Sequence, residues 1–200
     1  MPLPPPQPRQ LKHTRAVEYR GYQREDGLWD IEGELKDTKP YRFVIPEERT
    51  WEPGEAIHHM LIRVTIDDDM VIHDIAVDMD SFPHETCPQA KPPMQRFIGE
   101  TLGRGWRQTI QRHLGGVQGC THMRELLFNL ATAAFQSKSG SFQPADPNLP
   151  PSFLGQCLTW DFNGPVVERL YPVFFQWDPK SRKAPGRSDD ESSGSSVPAA

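Results

Sequence analysis

The amino-acid sequence predicts an α+β fold in which helices pack on one face of an antiparallel sheet. Residues that alternate between apolar and polar, as in half-buried strands, dominate the first part of the chain. From Pro93 onward, apolar residues recur at helical spacing instead. Strands followed by helices, rather than strands alternating with helices, favour an antiparallel sheet whose helices are segregated to one side.

The two ends of the chain lack this periodicity. Residues 1–12 are rich in proline, and residues 178–200 are polar and charged. Segments of this composition cannot bury enough apolar surface to fold, so we expect a disordered arm and a disordered tail. The remaining length suits one domain. The sequence therefore predicts a single α+β domain over residues 13–177.

Two hairpins are predicted in the first half of the chain. Residues 15–35 contain two strand-like runs around an Asp-Gly turn. Residues 58–79 contain two more, and a two-residue turn at Asp68-Asp69 would place His58 opposite Met79. In that register each even-numbered residue of the first strand faces an odd-numbered residue of the second, so the apolar residues of both strands lie on the same face of the sheet.

Helices and a last hairpin are predicted in the second half. Apolar spacing indicates short helices over residues 93–99 and 104–114 and a longer helix over residues 122–136. A final hairpin is predicted over residues 157–171, because an Asn-Gly pair separates two apolar runs there.

Composition and charge exclude several classes of function. The formal net charge is -5, which argues against nucleic acid as a partner. The start, MPLPPPQPRQ, has no apolar signal-peptide region, and no run of about 18 apolar residues is present to span a membrane. Three cysteines make a poor disulfide framework. We therefore expect a cytoplasmic protein with free thiols and no membrane or nucleic-acid partner.

Four histidine and cysteine residues are predicted to meet at one edge of the sheet. His58 begins a strand, Cys87 comes after the partner strand, and Cys120 and His122 open the longest helix. The positive end of that helix favours a thiolate at Cys120. Thiolates and neutral imidazoles are the ligands of zinc and of iron–sulfur clusters. The sequence therefore predicts a metal site formed by these four residues.

Other interpretations of the same residues stay open. An enzyme acting on a small molecule would use a zinc-activated water, or Cys120 as a nucleophile with His122 or His58 as its base. Glu125 is then a candidate acid/base partner. A binding module without chemistry would use the tryptophans, and in that case the cysteines simply pack in the core.

The remaining histidines are less informative. His84 is in a loop near Cys87 and is a reserve ligand. His73 is predicted to be a core histidine opposite Val64, because it shares the apolar parity of its strand. His59 points to the polar face of the sheet and is left out of the site.

Several separated motifs resemble those of the bacterial domain-of-unknown-function family 2889. They are YRGY at 19–22 with REDGLWDIEG at 24–33, the strand from 58 to 67, and GCTH at 119–122 with ELL at 125–127. The resemblance spans about residues 13–177. It implies a bacterial cytoplasmic protein and brings no established activity.

The layout of residues 58–135 is also similar to that of the U-type iron–sulfur scaffold proteins, which have the NifU/SufE-like fold. That resemblance implies cluster ligands at a strand start, after a second strand, and at the opening of a late helix. The matching positions here are His58, Cys87, Cys120 and His122. The chain has Ala56 and His58 where the scaffolds have a cysteine, and its late Cys-His pair is reversed and interrupted. These departures favour metal handling over cluster assembly, with a small molecule or another protein as the partner.

Overall fold

The computed structural model describes residues 4–138 and 148–178. The chain divides into two compact units, residues 1–139 and 140–200. The predicted arm is described from Pro4 onward and contains no helix or strand before residue 14. The predicted tail, residues 178–200, lies outside the described residues except for Asp178. That residues 13–177 fold as one domain stays a prediction.

The first unit is built on a four-stranded antiparallel sheet. In their order across the sheet, its strands are β1 (Thr14–Gln23), β2 (Trp29–Thr38), β5 (Ala56–Ile66) and β6 (Ile72–Ser81). A separate two-stranded sheet contains β3 (Phe43–Ile45) and β4 (Arg49–Trp51). The helices are α1 (Trp106–Leu114) and α2 (Thr121–Ser137), with short 3-10 helices at Cys87–Ala90, Pro92–Phe97 and Gly116–Gln118. The predicted α+β fold is confirmed.

The core lies between the sheet and α2, which packs across β1, β2 and β5. The apolar stripe predicted for the long helix is buried in full: Met123, Leu126, Leu127, Leu130 and Ala134. It meets alternate residues of the strands, including Ile31, Leu35, Met60, Ile62 and Val64. The apolar side chains that recur every two residues in the strands and every 3.6 residues in the helix therefore pack in one core. No helix in the described ranges combines the length and apolar character needed to span a bilayer.

The hairpin of β5 and β6 differs from its predicted register by two residues. Met79 lies opposite Met60, whereas His58 pairs with Asp37 of β2 on the other side of the strand. Asp68 and Asp69 do form the centre of a turn, because Met70 N–H donates to the Asp67 carbonyl at 3.1 Å. However, Asp67 N–H donates to the Val71 carbonyl, so the predicted two-residue loop is one residue too short. Because the shift is an even number of residues, even-numbered residues of β5 from Met60 to Val64 still face odd-numbered residues of β6 on the core face.

Asp67 accounts for the longer turn. Its carboxylate accepts hydrogen bonds from the backbone N–H groups of Asp69 and Val71, each at 2.9 Å. Met70 takes up the left-handed conformation with φ 65°. The same carboxylate bonds His73 Nε2 at 2.7 Å. A register irregularity in β5 places Ile72 opposite Ile66, so Ile72 faces the core and His73 is exposed. The prediction of a core histidine is wrong.

The predicted hairpin over residues 157–171 is also wrong. This segment, in the second unit, contains a 3-10 helix (Leu158–Trp160) and α3 (Pro165–Leu170). Gly164 has φ -88°, so the Asn-Gly pair does not form the left-handed turn that a tight hairpin requires. Pro165 instead occupies the first helical position, where its fixed φ and missing N–H are tolerated.

We expect Trp106→Phe to destabilise the protein more than Trp51→Phe. Trp106 Nε1 donates a buried hydrogen bond to the Leu127 carbonyl at 2.7 Å. Trp51 Nε1 is buried without a hydrogen-bond partner among the described residues. Only the first substitution removes a buried hydrogen bond, which contributes about 0.5–1.5 kcal/mol. Urea unfolding of both variants measures the difference, and equal losses would contradict this account.

Candidate functional site

A cleft of about 510 Å³ opens where β2 ends and β5 begins. This volume is within the range of small-molecule sites. The four predicted ligands all line it: His58, Cys87, Cys120 and His122. The reserve ligand His84 lines it as well. The fold thus brings residues that are distant in sequence to one cavity.

Two of these residues meet face to face. His58 is the third residue of β5, and His122 is the second residue of α2. Their imidazole rings lie 3.9 Å apart between centroids, with 32° between the ring planes. Each side chain is 20 % exposed. The packing of α2 on the sheet therefore forms a half-buried imidazole pair.

The sequence analysis missed the residue that joins this pair, Asp37. Its side chain is 4 % exposed, because it continues the core-facing parity of Ile31 and Leu35 along β2. Asp37 Oδ2 lies 3.2 Å from His58 Nδ1 and 3.5 Å from His122 Nε2. Asp37 could have been identified from the sequence, because it is a carboxylate at a position where the alternation of β2 predicts an apolar, core-facing residue. Buried acids are rare without partners.

The Asp37 carboxylate is fixed by residues at the start of β1. Arg15 donates from Nε to Oδ1 and from Nη2 to Oδ2, both at 2.8 Å. His13 Nε2 lies 2.9 Å from Oδ1. Burial acts to raise the pKa of Asp37, but the hydrogen bonds and charge of Arg15, with help from His13 and His58, outweigh it. The pKa of Asp37 is therefore below its usual value, and the group is ionised at neutral pH.

The two imidazoles are neutral at neutral pH. Burial, together with the proximity of His122, lowers the pKa of His58 to about 4. Burial and the charge of Arg15 lower the pKa of His122. His58 Nδ1 is buried and lies outside hydrogen-bonding geometry with any described residue. Both rings thus offer lone pairs to a metal ion or to a proton.

The cysteines line the cleft without joining this group. Within the described residues, one set of potential ligand atoms lies entirely within 4.8 Å, and it comprises Asp37, His58 and His122. Cys120 is the N-cap of α2, and its Sγ lies 3.6 Å from His122 Nδ1. Cys87 begins a 3-10 helix and packs partly against the core. Metal ligation by either cysteine stays a prediction.

Two other predicted candidates have partners of their own. Glu125 accepts a hydrogen bond from Arg15, and it does not line the cleft. His84 Nδ1 lies 2.9 Å from Glu48 Oε1. Glu125 therefore contacts the site through Arg15, and its role as an acid/base partner stays a prediction.

We expect Arg15 and Asp37 to be strongly coupled in stability. In Arg15→Ala, the buried carboxylate of Asp37 loses two hydrogen bonds and its paired positive charge. Adding Asp37→Ala to that variant removes the buried negative charge as well. The double variant should therefore lose less stability than the sum of the single variants, by about 1–3 kcal/mol. Denaturant unfolding of the four proteins gives the coupling, and additive losses would show that the pair contributes nothing.

Comparison with known proteins gives a family match. A family model described as "Protein of unknown function (DUF2889)" matches residues 13–136. No curated protein and no solved structure matches the chain, so the similarity to iron–sulfur scaffolds stays a prediction. The matched segment runs from His13 into α2 and contains Asp37, both facing histidines and both cleft cysteines. The chain belongs to the DUF2889 family of proteins of unknown function.

Proposed function

We propose that this protein binds a divalent transition metal, best matched by zinc, through Asp37, His58 and His122. One carboxylate and two imidazoles form the ligand set of many metal sites that keep a coordination position open for water or substrate. The observation that carries the proposal is the convergence of these three donors within 4.8 Å at a cleft.

The donor separations suit one ion. Nitrogen and oxygen ligands at about 2.0–2.2 Å from a tetrahedral zinc lie roughly 3.3–3.6 Å from each other. Asp37 Oδ2 is 3.2 Å from His58 Nδ1 and 3.5 Å from His122 Nε2. The stacked rings would turn apart on metal loading, so that both nitrogens point at the ion.

The Asp37 carboxylate keeps a lone pair for the metal. A carboxylate offers about four acceptor sites, two on each oxygen. Arg15 uses one site on each oxygen, and His13 uses the second site on Oδ1. The site that remains is on Oδ2, the oxygen that faces both imidazoles. Arg15 and His13 then orient the Asp37 carboxylate, as groups hydrogen-bonded to metal-ligating side chains commonly do.

Zinc is favoured over an iron–sulfur cluster. Clusters are held mainly by thiolates, and neither cleft cysteine belongs to the set of donors that converge within 4.8 Å among the described residues. Three protein ligands beside a cleft leave a position for water, whose proton a bound zinc would acidify. The site therefore favours metal-assisted chemistry on a small molecule over a closed structural site.

Metal analysis of anaerobically purified protein tests the proposal. We expect close to one zinc per chain in the wild type and its loss in His58→Ala and His122→Ala, because two ligands cannot hold the ion tightly. The matched control is His59→Ala, one position along β5, where the ring bonds Glu34 at 2.7 Å on the polar face.

The control should keep its zinc. Folded wild-type protein that neither carries zinc nor binds added zinc in calorimetry would refute the proposal, as would equal zinc loss in the control variant.

A second candidate function is nucleophilic catalysis by Cys120. Cys120 Sγ lies 3.6 Å from His122 Nδ1, and His122 Nε2 lies 3.5 Å from Asp37 Oδ2. Thiol, imidazole and carboxylate thus stand in the order of a nucleophile, its base and the group that orients the base. Cys120 is also the N-cap residue of the 17-residue helix α2.

Alkylation by iodoacetamide tests this second candidate on metal-free protein. We expect Cys120 to react faster than Cys157, although Cys157 is the exposed thiol and Cys120 is half-buried. His122→Ala should slow the reaction of Cys120 about tenfold or more, since the base is lost. Mass spectrometry of the labelled peptides gives the rates. Faster labelling of Cys157 would argue against an activated Cys120.

A further inference from the structure

We propose that the cleft binds a small organic carboxylate with an apolar body, and that Lys39 holds its carboxylate group. The inference deepens the proposed function and rests on it in one respect, because the bound acid would lie in the cleft that the metal site faces. The binding itself requires only Lys39 and the apolar side chains of the cleft lining.

The charges that line the cleft leave one cation unmatched. The ionised groups of the lining are Arg15, Asp37 and Lys39. Arg15 is paired with Asp37 and with Glu125. Lys39 forms no ion pair with any residue in the described ranges, even though the chain as a whole carries a net charge of -5. An unpaired ammonium at a cleft in an acidic protein attracts anions.

Two aromatic rings lie next to the Lys39 ammonium group. Lys39 Nζ lies 5.4 Å from the centroid of the Tyr41 ring and 5.1 Å from that of Phe43. A second ammonium group, Lys12 Nζ, lies 5.8 Å from the same Tyr41 ring. Cation–π contacts favour these positions but do not neutralise the charge. Two cations beside one ring therefore leave a positive potential that an anion would relieve.

Two glutamates that pair with residues of the cleft lining are already engaged. Glu48 is engaged by His84 at 2.9 Å, and Glu125 is engaged by Arg15. Neither glutamate lines the cleft. Asp37 is the acid of the lining, and it is paired with Arg15. A ligand's carboxylate can therefore approach Lys39 without meeting an unpaired acidic side chain of the lining.

The apolar walls of the cleft indicate the rest of the ligand. Phe43 and Ile45 come from β3, Ile57 and Met60 come from β5, and Pro83 lies just after β6. Such a lining favours an apolar body by removing it from water. A single lysine suits one carboxylate, whereas phosphate recognition more often uses several donors or an arginine fork. The site thus matches an aryl or alkyl carboxylic acid.

Calorimetric titration of the full chain with 4-phenylbutyrate and with 4-phenylbutan-1-ol tests the inference. The two probes share an apolar body and differ in charge. We expect the acid to bind at least about tenfold more tightly than the alcohol, and Lys39→Ala to weaken the acid about tenfold. Lys39→Arg should retain most of the affinity. Lys36→Ala is the matched control, because Lys36 is exposed on β2 and lies outside the lining.

Each titration is performed on chelator-treated and on zinc-loaded protein. Acid binding that depends on Lys39 in both forms supports the inference, even where no zinc binds and the metal proposal fails. Equal affinity for acid and alcohol, an equal effect of the two alanine variants, or no binding of the acid in either form would overturn it. Zinc binding with no acid binding would leave the metal proposal standing alone.

Discussion

The buried carboxylate of Asp37 is the constraint on which the site depends. A charged group with 4 % side-chain exposure is tolerated only when it is paired and hydrogen-bonded. Arg15 and His13 meet that need from the edge strand, and His58 and His122 approach from β5 and α2. The starts of β1, β5 and α2 therefore meet at the end of β2, around one ionised group.

This arrangement also determines what the site can do. Arg15 and His13 occupy the outer acceptor sites of the carboxylate, so the oxygen that faces the cleft keeps one lone pair. Burial keeps both imidazoles neutral, which is the state that ligates metals and accepts protons. The desolvation that makes these groups costly to bury thus also leaves both imidazole rings unprotonated.

Much of the fold was predictable because it depends on local periodicity. The core faces of β5 and α2 follow from alternation and from helical spacing. The errors arose where side chains redirect the backbone. Asp67 lengthened a turn by bonding two backbone N–H groups, and Pro165 started a helix where an Asn-Gly pair predicted a hairpin. Such choices depend on hydrogen bonds that apolar patterning does not encode.

Apolar periodicity was sufficient to predict the core faces of β5 and α2, and from them the approach of His58 and His122 to a common cleft. The positions of Asp37 and of the two cysteines in that cleft followed from the packing of the elements in space. The physical reason is that hydrophobic periodicity selects a face of each element, whereas distances between donor atoms depend on register and helix docking. A shift of one residue in either would separate the carboxylate from the imidazoles.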